Sequence, residues 1–354
     1  MSQSKNKVLA VLFLFFLAIS GCKSVPAKDL SYKVFFHEKT SEAPTSHLIF
    51  NHDGSRLLSA PQYDTVSLLK SESGEVLSNL KFQDLISGLM FLDTGEIFIA
   101  KSKGSIELWD AELSNVIKSH DFDEFGRYAI IHRGGRWGFY GNRFFSWADS
   151  IGLEMELAII NEGLLTFFGS EYAVAVGEHD GKIVTIDLAD MSLAEWRAPE
   201  RLITGDPRLL SQTLIMMTKD DHLYAFDIKS QKVLYDFSFF FSSPIFIMAP
   251  PHGDWFAAMY ESEVVFYNAE TGEKRFSLPL DFPWSGVTSS DREKLFIGSE
   301  LGSLYVVDVA TQSVAVAKLF DQSAVGAMTW HEETNRLAIG TREGETMVIE
   351  LETE

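Results

Sequence analysis

The feature that most constrains this chain is a repeat of about forty residues. GSIELWDAELSNV, GKIVTIDLADMSL, DHLYAFDIKSQKV, SEVVFYNAETGEK and GSLYVVDVATQSV, starting at Gly104, Gly181, Asp221, Ser262 and Gly302, share one pattern: a turn, an alternating run, a polar residue and a second turn. That closing polar position falls at Lys70, Asp110, Ala148, Asp187, Asp227, Asn268, Asp308 and Glu350, at intervals of 40, 38, 39, 40, 41, 40 and 42 residues. Ala148 is the weak member, yet Asp110 and Asp187 stand 77 residues apart, nearly two periods, so a unit belongs between them. A fixed period of this size marks units that cannot bury an apolar face alone and must stack on their neighbours.

Each unit also opens with two short apolar runs around a polar turn, as in SHLIFNHDGSRLLSA and GLMFLDTGEIFIAKS. Runs of five or six residues joined by Asp-Gly, Thr-Gly or Asn-Arg turns predict antiparallel hairpins. Four short strands per forty residues is a propeller blade. The last unit stops after its third strand, ETMVIEL, while LSYKVFFHE, Leu30 to Glu38, precedes the first full unit. Pairing the two closes the ring and removes an exposed edge. The expectation is an all-β, eight-bladed propeller over residues 31–354, closed by its N-terminal strand, with seven blades as the alternative should the third unit collapse.

The repeats resemble WD40-like units from about residue 30 to 351, although LWD at Leu108 to Asp110 is the one literal match and the usual preceding Gly-His is missing. NAETGEKRF, from Asn268, equally resembles the quinoprotein-like repeat. Both resemblances imply the same fold and leave the activity open.

Hydrophobic residues make up 46% of the chain and charged residues 23%, enough apolar material for a large core. Fifty acidic against thirty basic residues give a formal charge of −20, which repels phosphate backbones and excludes nucleic acid as the expected partner. A single cysteine, Cys22, excludes an internal disulfide and any site built on several cysteines.

Cys22 follows a basic start carrying Lys5 and Lys7 and a twelve-residue apolar run from Val8 to Ile19. That is the layout of a secretory signal, too short for a comfortable permanent span. Ile19-Ser20-Gly21-Cys22 resembles the bacterial lipobox, which implies cleavage between Gly21 and Cys22, diacylglycerol on the Cys22 sulfur, and acyl chains such as palmitate anchoring the protein. More than one acyl chain gives stable anchoring where one is marginal. Lys23 in place of an aspartate favours the outer membrane, on its periplasmic face, with the outer face of a plasma membrane as the alternative. Residues 1–21 are then the signal peptide, and residues 22–30 a tether reaching at most roughly 30 Å.

Chemistry is sparse. The nine histidines never form HxH or HExxH, so no zinc site is expected. GEHDG, Gly177 to Gly181, occupies a turn position of the repeat, and turn chemistry explains it. DFDEFG, Asp121 to Gly126, lacks the position-12 glutamate of a calcium loop. DFSFFFSSPIFIM, Asp236 to Met248, is read as an outer strand followed by the next inner strand. HRGGRWGFYGNRFFSW, His132 to Trp147, interleaves arginines with aromatics in an acidic chain, making Arg133, Arg136, Trp137, Tyr140 and Arg143 candidate partner-binding residues, against the alternative that they fill an irregular third blade. No catalytic residue, metal ligand or cofactor is assigned.

Fold, anchor and size together resemble the propeller lipoproteins of the β-barrel assembly machinery. That resemblance implies a non-catalytic, protein-binding scaffold supporting an outer-membrane complex, with unidentified envelope partners. The alternatives are a periplasmic propeller enzyme, quinoprotein-like or hydrolytic, and a sensor for glycans or peptides.

Overall fold

The structure, a computed structural model, describes residues 27–61, 65–122, 129–131, 137–140, 143–147, 151–156, 164–168, 171–177, 181–199, 203–218, 222–239, 244–250, 253–291 and 293–352. These residues form eight antiparallel sheets of four strands each, one of them extended by a fifth. Blades one to seven take consecutive strands from 45–81, 86–121, 129–156, 164–197, 203–238, 246–279 and 283–318. Blade eight joins three strands from 325–351 to the N-terminal strand Tyr32–Lys39. Within each blade the strands are named a to d in order from the inner strand outward.

Among the described residues eight apolar clusters hold the ring, and each is shared by two adjacent blades. Phe139 and Phe144 of blade three pack with Ala173, Ala175, Val184 and Ile186 of blade four. Trp255 and Phe266 of blade six meet Leu295, Ile297 and Tyr305 of blade seven. At the seam, Phe36, Leu48, Leu57 and Leu69 join Ala327, Ala338 and Val348. Strands b and c are buried on both faces, as in Ile183–Ile186 and Trp255–Met259, because the blades stack sheet on sheet. Each fully buried Phe or Leu contributes about 1.5–3 kcal/mol of transfer free energy.

The closing polar residue of the repeat has a local cause. It ends strand c and turns the chain into strand d, where its side chain accepts backbone N–H groups that the turn leaves unpaired. Asp187 accepts from Ala189 N at 2.8 Å, Asp227 from Ser230 N at 2.6 Å, and Asp308 from Thr311 N at 2.7 Å. Asn268 accepts from both Glu270 N and Thr271 N. Asp110, the aspartate of the LWD tripeptide, accepts from Ser114 N, Ser114 Oγ and Asn115 Nδ2, and these bonds hold its carboxyl well below the usual carboxylate range. In these turns a residue three or four positions on takes positive φ, Leu113, Met191, Gln231, Gly272 and Gln312 among them. The Ala148 position lies outside the described residues, but its unit forms a complete sheet, with strand c at Arg143–Trp147.

Closure follows the expected pairing. Strand Tyr32–Lys39 runs antiparallel to Glu345–Leu351, with Tyr32 opposite Leu351 and Lys39 opposite Glu345. Phe36 seats in the seam, so Tyr32–Lys39 and Glu345–Leu351, near opposite ends of the described residues, complete one blade. Two residues inside the expected tether, Lys28 and Asp29, add a fifth strand to blade seven, parallel to its strand d.

Candidate functional site

In an antiparallel blade the a–b and c–d turns share one face of the ring, while the b–c turns and the d–a connections between blades share the other. The exposed large apolar residues divide accordingly among the described residues. Val34, Val76, Leu77, Val116, Ile117, Leu193, Val233 and Leu234 lie on outer strands, whereas Leu85, Ile245, Phe282, Trp284 and Leu301 all belong to the d–a face. Three of the latter belong to blade seven.

Phe282 lies in the connection entering blade seven, Trp284 two residues on in strand a (Pro283–Thr288), and Leu301 in the b–c turn of the same blade. They are 48%, 41% and 46% exposed. Arg342, from the b–c turn of blade eight, places its guanidinium 4.0 Å from the centre of the Trp284 ring. The geometry of Phe282 is imposed on it. Its N–H donates to Glu261 O at 2.8 Å, and its carbonyl accepts from Glu300 N at 2.8 Å, so blades six and seven grip the backbone from both sides.

That grip holds Phe282 at a φ of 48°, a left-handed conformation that a bulky side chain rarely adopts. Among the described residues, the other non-glycines with positive φ are Leu113, Met191, Gln231 and Gln312 in c–d turns, Ser211 and Asn335 in a–b turns, and Gln322. Phe282 and Gln322 stand apart, in the connections before and after blade seven. Strain of about 1–3 kcal/mol persists where its surroundings over-determine it, and such positions cluster at functional sites. Around the apolar group the side chains of Glu261, Asp281 and Glu300 are exposed.

The residues singled out from sequence are placed differently. Tyr140 is 1% exposed, a correction to its reading as partner-facing: its ring stacks on Phe122 at 4.6 Å, and its hydroxyl donates to Lys101 O at 2.8 Å. It belongs to the core between blades two and three. Arg143 is half-buried and starts strand c of blade three, opposite Glu156. Trp137 begins strand b of that blade, with its side chain undescribed, while Arg133 and Arg136 lie outside the described residues, as do Gly21 and Cys22.

Gly181 donates to Gly177 O at 3.0 Å between strands b and c of blade four, and Glu178, His179 and Asp180 of GEHDG lie outside the described residues. Lys232–Ser238 and Phe246–Met248 are the outer strand of blade five and the inner strand of blade six. Among the described residues no group of three or more His, Cys, Asp and Glu is arranged to hold a metal ion, and no helix is long and apolar enough to cross a membrane. The blade-seven group was missed from sequence; the signal was LPLDFPWSG, from Leu278, an apolar and aromatic run in a connection between blades.

Fold and site together define a β-propeller with an apolar, aromatic group on its d–a face. No family model matches the sequence, and no curated protein matches it. Among solved structures, the crystal structure of BamB from Moraxella catarrhalis is similar with a TM-score of 0.66 at 15% identity, over 91% of this chain and 100% of that one. The computationally designed Ika8 protein is similar with a TM-score of 0.67 at 14% identity, over 87% of this chain and 96% of that one. A natural and a designed protein sharing this architecture establish the fold, and function must be argued from the site.

Proposed function

We propose that the chain is a lipid-anchored, non-catalytic scaffold of the bacterial envelope that docks a protein partner on the d–a face of its propeller. The observation that carries this reading is the exposed Phe282, Trp284 and Leu301 group, with the Phe282 backbone held by one hydrogen bond to blade six and one within blade seven. Aromatic and arginine side chains on a preorganised surface are the usual energetic anchors of protein interfaces. The lipobox-like Ile19 to Cys22 supports lipidation at Cys22, and likeness in fold to BamB supports a place in an outer-membrane assembly.

The tether sets the orientation in this reading. Lys28–Asp29 is parallel to strand d of blade seven, Ser313–Lys318, which starts at the c–d face, so Lys28 enters the blade from that side. The five residues between Cys22 and Lys28 reach at most about 18 Å. The membrane then lies toward the c–d face, and the d–a face looks into the periplasm.

Two measurements test this. Palmitate labelling and membrane fractionation of the wild type and Cys22→Ser should show labelled, outer-membrane protein for the first only. Crosslinking in intact cells, followed by purification, should yield a discrete envelope complex. A monomer that instead carries a cofactor absorbing in the visible range would sink the scaffold reading.

A further inference from the structure

The d–a face around blade seven combines three properties that together narrow what it can bind. It offers an apolar surface of two aromatic side chains and one leucine, all near half exposure. The Phe282 backbone is held between the b–c turns of blades six and seven. The edge of this face carries three acids and two cations: Glu261 and Glu300 are the two residues whose backbone groups hold Phe282, and Asp281 precedes it, all three with exposed side chains, while Arg342 lies over Trp284 and the Lys318 ammonium is already engaged on the Leu301 carbonyl. The chain as a whole carries a formal charge of −20.

We infer that this group is a docking site for a protein segment with an apolar or aromatic core flanked by lysine or arginine. Resting on the scaffold reading above, the inference adds which blade is used and what chemistry the partner presents. The apolar core covers Phe282, Trp284 and Leu301, and the flanking cations face Glu261, Asp281 and Glu300. Complementary charge of this kind speeds encounter and rejects acidic competitors.

Arg342 has a different part. Its guanidinium covers one side of the Trp284 ring, which limits the ring's freedom before a partner arrives and lowers the ordering cost of binding. A membrane surface is the other occupant that an exposed tryptophan and phenylalanine could suit. The exposed carboxylates argue against it, because anionic headgroups would meet them, and Lys28 enters blade seven from the opposite face of the ring.

The test uses the folded chain without its signal peptide and two fluorescent heptapeptides. Both carry a Leu-Trp-Phe core; one is flanked by two lysines on each side, the other by two glutamates. At low salt the lysine-flanked peptide should bind about tenfold more tightly or better. Trp284→Ala and Phe282→Ser should each weaken it about tenfold, while Leu234→Ser on the outer strand of blade five leaves it unchanged. Thermal melts confirm that each variant is folded.

Glu300→Lys, a surface change, should reduce the preference between the two peptides. Equal binding of both peptides, binding indifferent to Trp284→Ala, or binding to phosphatidylethanolamine–phosphatidylglycerol vesicles that Trp284→Ala abolishes would each overturn the inference. If the envelope complex forms in cells while the peptides fail, this inference falls and the scaffold reading stands. If no complex forms, the scaffold reading falls first.

Discussion

The Arg342 guanidinium lies 4.0 Å from the centre of the Trp284 ring, linking the b–c turn of blade eight to the inner strand of blade seven. Both side chains are exposed, so the contact contributes only about 0.5–1 kcal/mol. Arg342→Ala should therefore lower the melting temperature by little more than a degree or two, by the usual scaling for large domains, while increasing the fluorescence anisotropy decay of the Trp284 ring. A large loss of stability would assign the pair to the core and remove it from the docking surface.

Closure should respond to a single side chain. Phe36 is 7% exposed and packs in the seam between blades one and eight. Phe36→Ala should cost about 3–5 kcal/mol, read as a lower urea midpoint. Deleting Ser31 to His37 should abolish cooperative melting, because it strips the partner strand from Glu345–Leu351 and leaves an unpaired edge.

The connection from blade eight to blade one turns around Gly344. Its φ is 79°, its carbonyl accepts from Thr40 N at 2.9 Å and Ser41 N at 3.1 Å, and an added Cβ would sit 2.1 Å from Ser41 O. Gly344→Ala should destabilise the fold by about 2 kcal/mol or more, with hydrogen exchange quickening first at Tyr32–Lys39. Gly95, at a φ of 94° with open space around its Cβ position, isolates the backbone contribution, and its alanine variant should cost less.

Tyr140 separates core from interface. Its hydroxyl donates to Lys101 O and Ser102 O, so Tyr140→Phe should cost about 1 kcal/mol of stability. Partner crosslinking should be unchanged. Loss of crosslinking at unchanged stability would return this residue to the surface role that the sequence suggested.

Asp110 carries a pH dependence of definite sign. Hydrogen bonds from Ser114, first through its backbone and then through its side chain, and from Asn115 favour the ionised carboxylate and lower its pKa in the folded state. Its contribution is therefore complete above the ordinary carboxylate value of 3.8 and is lost as pH falls below it toward the depressed folded value. Asp110→Ala should flatten the acid limb of the stability curve and leave neutral pH dependence untouched, as followed by urea unfolding between pH 2 and pH 7.

Much of the fold was legible because its determinants are local. Asp187, Asp227, Asn268 and Asp308 mark the end of strand c by accepting hydrogen bonds from residues two or three positions on, so the repeat's ruler is turn chemistry visible in sequence. The closing strand was legible from the unit missing its fourth strand. The site was not. Phe282 and Trp284 depend on how blades six, seven and eight approach one another, which no local pattern encodes. Tyr140 stood between a partner-facing and a core-filling reading, and burial decides for the core; strands b and c of a blade are buried on both faces, which removes the alternation that would separate core aromatics from surface ones.

The docking face is tested most directly by photocrosslinking in intact cells, with benzoylphenylalanine placed at Trp284 and, separately, at Leu234 on the outer strand of blade five. The account predicts one discrete protein adduct from position 284 and none from position 234. Adducts from position 234 with none from position 284 would contradict it.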